Sequence, residues 1–235
     1  MIAELTRVRV RPTPDRLQDL AQEGNLTALV AEMPGDLETP MSVYLKLESG
    51  GPSFLLESVE QGERTGRYSF VGLEPRAVAT IRGDQALLLA EGRAQLHQLR
   101  GSDPLSLIKG WLQGARPMLP EGMPAFVGGA VGYVGYDLVR HFEPRLQRTA
   151  RPASAFDLPD AVFLLSDTLV AFDHVQRRLL IIALVRLEGD RRAAYVEGVE
   201  RIERIAARLH RPLPEPRRRI NGADGELESN FTAEA

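Results

Sequence analysis

The stretch Ala161–Val185, AVFLLSDTLVAFDHVQRRLLIIALV, decides how this chain is read. Two long apolar runs, "AVFLLSDTLVAFD" and "RRLLIIALV", are joined across His174, Val175 and Gln176. Runs this rich in Val, Leu, Ile and Phe around a short polar break predict two long strands closed by a hairpin. Asp173 beside His174 resembles an acid–base pair, but neighbouring residues on a strand point to opposite faces. The pair therefore marks the hairpin turn. Immediately after the hairpin, Arg191–Arg211 carries Tyr195, Val199, Ile202, Ala206 and Leu209 at intervals of four, three, four and three. That spacing makes one apolar stripe on a helix. Beyond it, residues 212–235 combine prolines, the basic run Arg217-Arg218-Arg219 and few apolar residues, which reads as a linker or exposed tail.

Working outward in the other direction, Ala125–Arg140 is glycine-rich, with Gly128, Gly129, Gly132 and Gly135. A phosphate cradle would need GxxxxGK[ST], or GxGxxG between a strand and a helix, and neither spacing occurs. The glycines are read instead as places where backbones approach closely in a bent sheet. Ser102–Gly114 predicts a helix capped by Ser102 or Asp103, with Leu105, Ile108 and Leu112 facing inward. Residues 54–100 read as sheet, with strand candidates at "SFVGL", "AVATI", "ALLLA" and "AQLHQL". Thr39-Pro40 gives a cap and a first-turn proline before "MSVYLKL", and "LTALVAEM" reads as a buried strand ended by Pro34-Gly35-Asp36. Near the start, Thr13 and Pro14 predict a short helix with Leu17, Leu20 and Ala21 on one face.

Composition excludes several classes. The 235 residues are 43% hydrophobic and 26% charged, ordinary values for a globular protein. A net charge of -3 gives no electrostatic reason to expect nucleic acid. The absence of cysteine removes disulfides, thiolate metal sites and a cysteine nucleophile. His97, His141, His174 and His210 are scattered without ligand spacing. No apolar run has the length of a membrane span, and the charged start is not a secretory signal, so a cytoplasmic location is expected. No residues assemble a nucleophile with its base, and none are predicted to be catalytic or to hold a metal.

One short block does suggest chemistry. In Phe54–Ser58, "FLLES", a strand would place Leu55 and Glu57 on one face and Leu56 and Ser58 on the other. A carboxylate and a hydroxyl ending an apolar strand can line a small polar opening at the edge of a core. Glu57 can accept from an ammonium or an indole N–H, and Ser58 can donate and accept. The plainer alternative, favoured by spacing alone, is a strand that merely ends in polar residues before the loop "EQGERTG".

The blocks "TPMSVYLKL", "FLLESVEQGERTGRYSFVGLEP", "GGAVGYVGYDLVRHFE", "DLPDAVFLLSDTLVAFDH" and "ESNFTAEA", in this order, resemble the N-terminal region of the large subunit of anthranilate synthase, component I, a chorismate-utilising family. Component I of aminodeoxychorismate synthase shares the later blocks and ranks second, and a stand-alone small-molecule-binding module is the other alternative. The resemblance implies an α/β fold of the α+β type, with orthogonally packed, mainly antiparallel sheets and flanking helices. It implies a component I N-terminal domain over residues 1–211, then a linker and the start of a truncated chorismate-binding domain over 212–235. The fold would be incomplete without that C-terminal catalytic domain, and the chain alone would be inactive. In the family the whole subunit is a lyase of tryptophan biosynthesis, converting chorismate to anthranilate with magnesium and with ammonia from a glutamine amidotransferase subunit, component II. L-Tryptophan is its allosteric feedback inhibitor. The resemblance makes Glu57 and Ser58 the first candidates for the effector site, with Leu56 in support and Arg67 or Tyr68 reaching the same pocket.

Overall fold

The fold is that of a computed structural model in which residues 8–57, 66–99, 103–147 and 158–214 are described. Strand β1 (Val10–Arg11) precedes helix α1 (Arg16–Glu23), strand β2 (Leu26–Pro34) and helix α2 (Pro40–Leu47). Five strands follow: β3 (Ser53–Leu56), β4 (Tyr68–Leu73), β5 (Ala77–Arg82), β6 (Gln85–Ala90) and β7 (Arg93–Gln98). Helix α3 (Leu105–Leu112), β8 (Pro117–Met118), β9 (Gly129–Val134), a 3-10 segment (Tyr136–His141) and the short α4 (Pro144–Gln147) come next. Strands β10 (Ala161–Ser166), β11 (Thr168–Asp173) and β12 (Arg178–Arg186) then lead to helix α5 (Arg191–Leu209).

The described strands form two sheets. Sheet one has the order β1-β2-β12-β11-β4-β3, with β8 added parallel to β2; sheet two has the order β7-β6-β5-β10-β9. Every pairing except β2 with β8 is antiparallel. The mixed α+β class with mainly antiparallel sheets is therefore the one expected, and the β11–β12 hairpin forms as read, closing Asp173 against Arg178.

Sheet one is covered on both sides. Alternate residues of its strands, among them Leu29, Val71, Val170 and Ile181, pack under the helices. Helix α5 presents Ile202, Ala206 and Leu209 to this layer, with Tyr195 and Val199 partly buried beside them, so its predicted stripe is the one it buries. Helix α2 starts as its sequence dictates: Thr39 Oγ1 accepts from Ser42 N at 3.0 Å, and Pro40 occupies the first turn. The opposite face, with Ala28, Val30, Leu169, Ala171, Leu180 and Ile182, is closed by Met123, Phe126 and Val127 from the loop before β9.

In sheet two, one face packs Ile81, Ala86 and Ala161 against Leu99 and Leu138. Its register places Leu96, Leu87, Thr80, Val162 and Tyr133 in a row across the other face. There Leu96 is 60% exposed and Tyr133 46%.

Three expectations are corrected. The run Ala161–Asp173 is two strands in different sheets, because the polar triplet Ser166-Asp167-Thr168 carries the chain from one sheet to the other. Ser166 Oγ donates to Thr168 O at 3.0 Å, and Asp167 O accepts from Leu184 N at 2.7 Å. Helix α1 begins two residues later than Thr13-Pro14 suggests, since the carbonyls of both are used in the preceding turn by Arg16 N and Leu17 N. Asp103 accepts from Leu105 N at 2.8 Å, but it sits one residue before the capping position of α3, which is Pro104, and Leu112 is exposed rather than buried. The glycine-rich run behaves as read: a Cβ at Gly132 would lie 1.8 Å from Val162 O across the β9–β10 pair. Among the described residues, no helix is long and apolar enough to cross a membrane. Most of the 212–235 segment, with Arg217-Arg218-Arg219 and "ESNFTAEA", lies outside the described residues.

Candidate functional site

The "FLLES" block enters the structure as β3, an edge strand of sheet one. Leu55 packs against the core under the helices, while Leu56 pairs with Phe70 of β4 on the opposite face and is 44% exposed. Glu57 follows the strand end and is exposed, with no hydrogen bond or ion pair among the described residues. Ser58 lies outside the described residues.

Arg67 and Tyr68 stand at the same end of the sheet, where β4 begins. Tyr68 lies opposite Asp173 in the β4–β11 pair. Arg67 Nε and Nη2 donate to Asp173 Oδ1 and Oδ2 at 3.2 and 3.0 Å, a two-pronged contact that fixes both groups. The same guanidinium lies 4.9 Å from the centre of the Tyr68 ring. The Arg67 main chain is held as well, its carbonyl accepting from His174 N at 2.9 Å. His174 Nε2 in turn meets Ser69 Oγ at 2.8 Å, so Asp173 and His174 serve different partners.

Asp173 is fully buried and also accepts from Val175 N and Gln176 N, both at 3.2 Å, which shapes the hairpin turn. Arg178 Nε lies 3.7 Å from Asp173 Oδ2, and Arg178 Nη1 donates to Glu32 Oε2 at 2.6 Å. Arg11 Nη2 completes the series on Glu32 Oε1 at 2.6 Å. Charges thus alternate across the sheet end from Arg67 to Arg11.

The electrostatics follow from that alternation. Burial pushes the Asp173 carboxyl up, but its bonds from Arg67 and the turn amides hold it below the usual carboxylate value. Burial likewise acts to raise Glu32, and Arg11 and Arg178 outweigh it. Tyr68 is raised, by burial first and then by the charge of Asp173. Arg67 is raised by its hydrogen bonds to Asp173.

Leu56, Glu57, Arg67 and Tyr68 therefore stand at one end of sheet one. The side chain of Arg67, however, is committed to Asp173 on β11. The sequence reading missed Asp173 as its partner, along with Arg178, Glu32 and Arg11. Strand alternation carried a signal, since Leu169, Ala171 and Asp173 share a face and a carboxylate on that face needs a cation. Among the described residues, no three His, Asp or Glu side chains are grouped to hold a metal ion.

The architecture is that of an α+β chain whose sheet-one end gathers polar and cationic groups around an exposed strand terminus. Comparison with known sequences places it more closely. Anthranilate synthase component 1 of Synechocystis sp. is 36% identical over 209 residues, 87% of this chain and 40% of the relative. The component 1 of Pseudomonas aeruginosa is also 36% identical, over 92% of this chain and 44% of its own. A solved structure of anthranilate synthase component I from Streptococcus pneumoniae TIGR4 aligns with 77% of this chain and 37% of its own, at 20% identity and a TM-score of 0.49. No family model matches the chain. The chain is a homologue of anthranilate synthase component 1 and belongs to that family over the stretch it spans. That stretch is about two fifths of the length of these curated relatives.

Proposed function

We propose that this chain is the regulatory, tryptophan-binding and partner-binding portion of an anthranilate synthase component 1. The complete subunit would convert chorismate to anthranilate, with ammonia from a glutamine amidotransferase subunit. The observation that carries the regulatory reading is the end of β3, where an exposed Leu56 and a Glu57 without a partner among the described residues stand at the same end of sheet one as Arg67 and Tyr68. An amino-acid effector suits such a place. Glu57 accepts from its ammonium or its indole N–H, Ser58 supplies a hydroxyl, and Leu56 offers apolar area to the side chain. A chorismate-binding domain would form the other wall. Magnesium belongs by the resemblance to the complete enzyme.

The test is the inhibition curve of the assembled enzyme. Losing one hydrogen bond to a charged ligand group costs about 1.5–3 kcal/mol, roughly ten- to a hundred-fold in affinity. Ser58→Ala is expected to raise the inhibitory tryptophan concentration by that order while uninhibited turnover stays within a few-fold. An unchanged curve would leave "FLLES" as a strand end. By linkage, if tryptophan weakens chorismate binding, chorismate weakens tryptophan binding by the same factor.

A further inference from the structure

An opening lies at the other end of β4 from Arg67, roughly 20 Å away by strand rise. It is a small, half-open cleft where the two sheets meet and α3 ends. Leu26, Leu165 and Leu184 give it an apolar lining, and Trp111 and Leu112 contribute a wall. This is where the exposed Leu112 finds its surroundings. Clefts at the junction of two packed layers are a common place for small molecules to bind.

The polar groups of the cleft divide into committed and free. Asn25 gives its amide to Gly114 O and Glu188 Oε1 and accepts from Arg116 N. Ser166 donates to Thr168 O, and the Asp167 carboxylate lies 3.1 Å from Arg201 Nη1. Two cations remain. Arg76 uses its main-chain N–H on Leu165 O at 2.8 Å, and its side chain has no partner among the described residues. Arg186 only approaches Glu188, at 4.0 Å, with both side chains more than half exposed. An apolar cleft with an indole in its wall and two exposed guanidiniums, neither hydrogen-bonded to a side chain among the described residues, matches a ligand with a flat apolar body and one carboxylate.

We propose that this cleft binds small aromatic carboxylates, the ring against Trp111 and the carboxylate on Arg76 and Arg186. The site is separate from the one at the β3 end, and it does not depend on that reading.

Trp111 is the one tryptophan in the 235 residues, so its indole N–H resonance reports this cleft alone. The experiment is an NMR titration of the chain with benzoate and, in parallel, with benzyl alcohol. Benzoate is expected to shift the resonance saturably, with a Kd on the order of 1 mM, as its few atoms allow. The double variant Arg76→Gln/Arg186→Gln is expected to bind benzoate at least about ten-fold more weakly. Both side chains are exposed, so the rest of the amide spectrum should be unchanged and report an intact fold. Three results would overturn the proposal: no saturable shift, equal binding of benzyl alcohol, or undiminished benzoate binding by the double variant.

Discussion

Sheet one and sheet two are made of similar strands and buried very differently. In β12 the run from Leu179 to Ala183 is fully buried, because helices cover one face and the loop at Met123–Val127 closes the other. In β6 and β7 an equally apolar set, Leu87, Leu89 and Leu96, is between 38% and 60% exposed. Strand composition sets the tendency to form a sheet, and what covers each face sets how much stability that sheet returns. The contrast is sharpest in β10 and β11. One continuous apolar run is divided at Asp167, and only the half that enters sheet one is buried along its whole length.

The largest expected effect is in the sheet-one core. Ile181→Ala should cost about 2–5 kcal/mol, since it opens a cavity in a layer without slack. Leu96→Ala should change stability by no more than about 0.5 kcal/mol. Denaturant unfolding of the two variants compares the sheets directly, and equal losses would break the distinction drawn between them.

Backbone approach provides the next test. Gly132→Ala would drive a methyl group into Val162 O and should cost about 3 kcal/mol by separating β9 from β10. A Cβ added at Gly110 of α3 would meet nothing within 4 Å, so Gly110→Ala should instead stabilise by up to about 1 kcal/mol. Thermal unfolding should move in opposite directions for these two glycines.

The charged end of sheet one adds a pH dependence. Asp173 and Glu32 both sit below their ordinary carboxyl values in the folded chain. Groups with depressed folded pKa values contribute stability that is full above about pH 5 and is lost as pH falls through the folded values. Asp173→Asn should cost about 1–3 kcal/mol at neutral pH, discounted by the exposure of Arg67, and should flatten the acid limb of the stability curve. An acid limb unchanged in the variant would remove Asp173 from that role. The smallest expected effect is Leu96→Lys, which should leave stability nearly unchanged while lowering any self-association measured by analytical ultracentrifugation.

Much of this arrangement is legible in the sequence where the signal is local. The cap at Thr39, the α5 stripe, the β11–β12 hairpin and the close approach at Gly132 each depend on a few neighbouring residues. What escapes is non-local. The polar triplet Ser166-Asp167-Thr168 breaks the apolar run, but nothing local says that the chain changes sheets there, because both halves satisfy the same preference. Leu112 has helical spacing, yet α3 ends beside a cleft rather than beneath a layer. At the candidate site, Leu56 and Glu57 can be picked out from their own block. The partner of Arg67 lies 106 residues away and becomes visible only when β4 pairs with β11.

The most direct measurement is calorimetric binding of L-tryptophan to the complete subunit, comparing wild type with Glu57→Gln. If the β3 end is one wall of the effector pocket, the Kd for tryptophan should rise roughly ten- to a hundred-fold, with turnover in its absence within a few-fold of wild type. A Kd unchanged by Glu57→Gln would contradict the proposal that β3 ends in the effector site.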